Sequence, residues 1–111
     1  MAIELERFKT MNRVDFIEDD AVINGYLMAA KNFVINAIGR KLAFYEEADV
    51  VDTFETAVYS LAGTYYTYRA TKSDAKVSNI HSLDIDETMN AIVGQLRGRY
   101  AEWEEEQDEN G

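Results

Sequence analysis

No proline stands anywhere in the 111 residues of this chain, and four of its segments carry apolar residues at helical period. With no pyrrolidine ring to break the backbone ladder, long helices are open to it. The clearest segment starts near Asp19 and Asp20, acids suited to the positive end of a helix, although Asp15 with Glu18 offers an earlier capping box. Ile23, Leu27, Ala30, Val34 and Ile38 then recur at the i, i+4, i+7, i+11, i+15 spacing of one buried face. Gly39 sits where a left-handed C-terminal stop belongs, with Arg40 and Lys41 beside the negative helix end.

The other segments are read the same way. Ile3 to Met11 sets Leu5, Phe8 and Met11 at three-residue steps, a helix too short to stand alone. Asp49 to Thr71 puts Val50, Phe54, Ala57, Val58, Leu61, Tyr65 and Tyr68 on a shared face, and that stripe overrides the β-propensity of Thr64 to Tyr68. A last helix opens at a capping box, Asp84 to Glu87, and continues through Met89, Ile92, Val93, Leu96, Tyr100 and Trp103. Arg40 to Ala48 is a short linker with Phe44 and Tyr45, expected to pack down in part. Lys72 to Leu83 is polar and too long for a tight turn, so a long loop is expected between helices three and four. The expected fold is all-α, a small antiparallel bundle of four helices in one domain over 1–111, with 104–111 a disordered acidic tail.

Charge narrows the function classes. The net charge of −10 and scattered Lys and Arg argue against a broad contact with a nucleic-acid backbone. The acidic run Glu102, Glu104, Glu105, Glu106, Asp108 and Glu109 reads either as a solvated helix end or as an arm for a basic patch on a partner. The N-terminus lacks the basic-then-apolar order of a signal peptide, and no apolar run approaches the ~20 residues of a membrane span. No membrane contact is expected.

A bundle core accounts for one stripe per helix, so apolar groups pointing elsewhere have a separate explanation. At about 100° per residue, Met28 and Ile35 fall away from Ile23, Leu27 and Val34, and Tyr59 and Tyr66 fall opposite Phe54 and Leu61. They are either ordinary surface groups or subunit-contact stripes, for which tyrosine and methionine are well suited. Two different stripes on one subunit fit a head-to-tail contact that closes into a ring.

Chemistry is sparse. Cysteine is absent and His81, between Ser78 and Ser82, is the only histidine, so neither a thiolate nor a zinc set is available. Asp84-Ile85-Asp86-Glu87 begins like a calcium loop, but Met89 stands at its glycine position and Gln95 at its terminal glutamate. The six glycines are isolated, so no phosphate-binding loop or nucleophile elbow forms. No catalytic residue, metal or cofactor is expected.

Gln95-Leu96-Arg97-Gly98 within the last helix resembles the motif of a family of small phage proteins, first regarded as DNA-packaging proteins and now understood as head–tail connectors or adaptors. Arg13-Val14-Asp15, the Asp19-Asp20 pair, Ala29-Ala30-Lys31-Asn32-Phe33 and Tyr65-Tyr66-Thr67-Tyr68-Arg69 stand in the family's order. The resemblance runs from Leu5 to Tyr100, with Asn12 where leucine is usual and without the family's loop prolines, so loop-borne contacts are not carried over.

The resemblance implies a structural protein of the virion head–tail junction, assembled in the host bacterial cytoplasm. Its partners would be copies of itself in a ring, twelvefold in the virion, the portal protein, a tail-completion protein, and genomic DNA passing without specific binding. Candidate oligomer contacts are Met28, Ile35, Tyr59, Tyr66, Gln95 and Arg97, and candidate docking residues are Arg99, Trp103, Glu104, Glu105 and Glu106. Gly98 is expected to allow close helix approach. The competing class is a small acidic interaction or inhibitor protein that occupies a basic site on a partner.

Overall fold

The computed structural model describes the backbone of residues 3–71 and 75–110 and the side chains of residues 3–68 and 87–109. Four α-helices follow one another: α1 Leu5–Met11, α2 Asp20–Ile38, α3 Val51–Thr71 and α4 Ala75–Asn110, with a 3₁₀ helix at Leu42–Glu46. There is no strand among the described residues, so the tyrosine-rich end of α3 is helical. The bundle is antiparallel where sequence neighbours meet. Tyr66 at the end of α3 reaches Asp19 at the start of α2, and Arg99 of α4 reaches Asp49 just before α3. α4 therefore runs alongside α2, with Arg97 beside Ala37.

Two boundaries differ from expectation. α4 is helical from Ala75, earlier than a start at Asp84, because residues 75–86 are polar but hold neither glycine nor proline. Residues 72–74 of the expected loop, and the side chains of His81 and the Asp84–Asp86 acids, lie outside the described residues. At the other end α4 continues through the acidic segment to Asn110, where a disordered tail was expected. Glutamate is a good helix former, and Glu104 is tied back to Lys41 at 3.0 Å. A helix of 36 residues at 1.5 Å per residue accounts for the 52 Å long axis of the molecule.

The α2 stripe is buried as spaced, and Phe54, Ala57, Val58 and Leu61 meet it from α3. Phe44 and Tyr45 of the 3₁₀ helix are fully buried and carry an aromatic cluster under the end of α4. Phe44 meets Tyr100 edge-on at 4.9 Å and Trp103 at 5.6 Å, while Tyr45 leans on Phe54 at 4.4 Å. Gly39 has φ 170°, so it is extended and not the left-handed stop that its position suggests. Its role is space: a Cβ there would run into the ring of Tyr100.

α1 is too short to be stable alone and is fixed from outside. Phe8 is buried against Tyr66, Arg7 pairs with Glu55 at 2.9 Å, Lys9 pairs with Asp20 at 2.8 Å, and the Glu4 N–H donates to the Tyr59 hydroxyl. It ends in a Schellman motif. The Val14 N–H returns to the Lys9 carbonyl at 2.8 Å and the Arg13 N–H to Thr10 at 3.3 Å, with Arg13 at φ 55° in the left-handed position that glycine usually fills.

Candidate functional site

The apolar side chains assigned to contact stripes separate in the structure. Met28 is 66% exposed, whereas Ile35 (8%) and Tyr59 (2%) belong to the subunit's own core. Two packing facts account for this correction. The buried arc of α2 spans about 140°, from Ala30 to Ile35, wider than a single stripe. The second apolar face of α3 is covered by α1, which places Arg7 over the Tyr59 ring at 5.1 Å and Phe8 against Tyr66. Tyr66 is half-buried and donates its hydroxyl hydrogen to Asp19 at 2.7 Å. α3 thus offers no free tyrosine stripe at Tyr59 and Tyr66.

What remains open is the outer face of α2. Asn24, Gly25, Met28, Ala29, Asn32, Phe33 and Asn36 are exposed, as is Ala21, and not one carries a charge. In a chain that is 29% charged, a surface stripe roughly 20 Å long with no ionic group departs from a solvated face. Phe33 lies on this face and escapes recognition from spacing because its position borders the core arc.

Phe33 also begins a groove between α2 and α4. It is lined by Phe33 and Ala37 of α2, Leu61 of α3, and Met89, Val93 and Arg97 of α4, with a volume of about 220 Å³. Arg97 is the one charged group among the described residues that line it. Its Nε donates to the Ala37 carbonyl at 2.7 Å, capping the end of α2 rather than pairing with an acid. Asn90, which also lines the groove, is exposed and uncharged, as are Ala91, Gly94, Gln95, Gly98 and Ala101 beyond it. Nothing within 4 Å would meet a Cβ at Gly25, Gly94 or Gly98, so the close approach expected at Gly98 does not occur inside the subunit.

At the opposite end of α2 a loop projects. Its base is closed by the Arg13 turn, the buried Val14, the Lys9–Asp20 pair and the Tyr66–Asp19 bond. Asp20 holds the nearly buried Lys9 ammonium by hydrogen bond and charge, raising the lysine pKa above its ordinary value. Between these fixings Phe16 and Ile17 stand in solvent, Ile17 at 76% exposure, flanked by the exposed acids Asp15 and Glu18. The earlier capping box that Asp15 and Glu18 offer as an alternative is not used, since α2 begins at Asp20.

The candidate docking residues of α4 divide likewise. Trp103 is 5% exposed and packs at a tilt against Phe44 and Tyr100, so it belongs to the core. The placement follows from the 3₁₀ helix, which brings Phe44 beneath it. Arg99 is half-buried and donates to Asp49 at 2.7 Å, which holds the aspartate below its ordinary pKa, and Glu106 lies 3.8 Å from its Nη1. Glu104 engages Lys41, while Glu105 and Glu106 are exposed. Among the described residues no group of three potential ligands could hold a metal, and no helix is long and apolar enough to cross a membrane.

The chain is thus all-helical in its described residues, with an exposed face of α2 that carries no ionic group. The profile of the family described as phage gp6-like head-tail connector protein matches residues 2–97. The chain therefore belongs to that family, a structural connector of bacteriophage. Searches of curated proteins and of solved structures return no match.

Proposed function

We propose that the chain is one subunit of a ring, twelvefold in the virion, that seats beneath the portal, extends the DNA channel and presents the surface on which the tail docks. Beside the family membership, the observation that carries this reading is the uncharged outer face of α2, from Asn24 to Asn36 with Met28 at its centre. Such a face loses little solvation on burial against a neighbouring copy, because it holds no ion to strip of water. The helix glycines support the same view. Each costs up to about 1 kcal/mol relative to alanine, and Gly25, Gly94 and Gly98 face open space within the subunit.

The acids have a place in this reading. Repeated around a pore, an acidic subunit presents DNA with like charge, so the genome passes without adhering. The exposed end of α4, with Glu105, Glu106 and the half-exposed Glu104, is the segment offered to portal or tail protein, in place of Trp103. Assembly occurs in the host cytoplasm and the ring remains at the head–tail junction.

Size-exclusion chromatography with light scattering, on the chain alone and mixed with portal, tests the proposal. Rings that form with rising concentration or on the portal support it, and Met28→Asp should suppress them while leaving the circular dichroism helical. A chain that stays monomeric in both conditions, yet occupies a basic site on another protein, would make it an acidic inhibitor instead.

A further inference from the structure

The projecting Phe16–Ile17 loop and the Arg97 groove lie at opposite ends of α2, roughly 25 Å apart at 1.5 Å per residue. A subunit cannot fill its own groove with its own loop across that span, but a second copy can. We infer that the loop of one subunit inserts Phe16 and Ile17 into the groove of the next, making a head-to-tail contact. The inference deepens the ring proposal and rests on it.

Three observations select a copy of this chain as the occupant. The first is charge. Among the described residues that line the groove Arg97 is the one charged group; its Nε is committed to Ala37, while its other guanidinium nitrogens bond to no described residue and are placed to take a carboxylate from outside. The loop brings Asp15 and Glu18 on either side of its two apolar residues, so an apolar pair between acids meets an apolar trough with an arginine at its rim. The second is shape held in advance. Four fixings close the base of the loop, including the left-handed turn at Arg13 and the Lys9–Asp20 pair, so little ordering remains to be done on contact. The third is position. The groove opens beside Phe33 on the uncharged face of α2, so the two surfaces form one patch. A contact between two different patches repeats from copy to copy and closes only when the rotation allows, as a ring requires.

The absence of cysteine makes the test clean. Ile17→Cys and Asn90→Cys replace exposed residues, one on the loop and one at the groove. Under mild oxidation at a concentration where scattering shows the unmodified chain assembled, the double variant should give a covalent ladder from dimer upward. Equal mixing of the two single variants should give dimers only, and each single variant alone should give monomer. Arg97→Glu should raise the concentration needed for assembly by tenfold or more. A double variant that assembles but forms no ladder overturns the loop-in-groove contact and leaves the ring standing. So does a cross-link that forms to portal instead of to a second copy. If scattering finds the unmodified chain monomeric with and without portal, both proposals fall together, and the light-scattering mass, not the gel, identifies that case.

Discussion

Tyr100 of α4 lies flat against Gly39, where the backbone turns from α2 toward the 3₁₀ helix, and its hydroxyl accepts the Lys41 N–H at 3.2 Å. From the other side the Tyr45 hydroxyl donates to the Gly39 carbonyl at 2.6 Å. Two tyrosines thus fix one exit from α2 with no left-handed residue. Gly39→Ala should destabilise by about 1–3 kcal/mol, the range for forcing extra atoms into a packed site. Chemical denaturation followed by circular dichroism measures it. A loss no larger than a few tenths of a kcal/mol would contradict the packing at Gly39.

Tyr45 sets an alkaline limit. Burial raises its pKa from 10.0 to about 12, and only the neutral phenol can donate the bond to the Gly39 carbonyl. The neutral phenol is the form the fold favours, so the stabilisation is fully present below pH 10 and is lost as pH rises toward 12. A tenfold change in proton affinity is worth about 1.4 kcal/mol, so the full loss is roughly 2–3 kcal/mol. Denaturant midpoints recorded from about pH 9 upward should show this decline, and Tyr45→Phe should flatten it.

Arg13 occupies a left-handed conformation at the end of α1 that ordinarily costs an L-residue about 1 kcal/mol. Arg13→Gly should therefore raise the melting temperature slightly, by the equivalent of up to about 1 kcal/mol, less what glycine adds to the freedom of the unfolded chain. Arg13→Val, which is β-branched, should lower it. Differential scanning calorimetry of the three proteins gives the order.

Gly94→Ala and Gly98→Ala separate folding from assembly. Neither new methyl meets anything in the subunit, so each should stabilise the isolated chain by about 0.5–1 kcal/mol through helix propensity. If a neighbouring backbone approaches there, the same variants should assemble less readily. Thermal melts of dilute protein and scattering of concentrated protein read the two effects apart.

The helices and their faces were legible because apolar period alone dictates which side of a helix is buried. Ile23, Leu27, Ala30, Val34 and Ile38 needed no partner to be recognised, and the start at Asp20 followed from its acids. Contact residues were harder, since a side chain off the main stripe is exposed only if no other element arrives to cover it. Tyr59 is buried because α1 folds across it, and Trp103 because Phe44 rises from a linker of nine residues. Both depend on tertiary placement that spacing within one helix does not encode. Phe16 and Ile17 were hidden for the converse reason: two apolar residues in a loop carry no period, and only the closed base of that loop makes them a protrusion.

The way α1 is held sets where the molecule begins to come apart. One buried phenylalanine, two ion pairs and a hydrogen bond to Tyr59 secure seven helical residues, whereas α2 and α3 share a continuous hydrophobic seam. Detachment of this N-terminal strap is a sub-global opening of lower free energy than whole-chain unfolding, and screening by added salt loosens its ionic moorings. Amide protons of residues 5–11 should exchange with deuterium sooner than those of the α2 centre, and the aromatic strip of Tyr59 and Tyr66 would be the first interior surface bared to water.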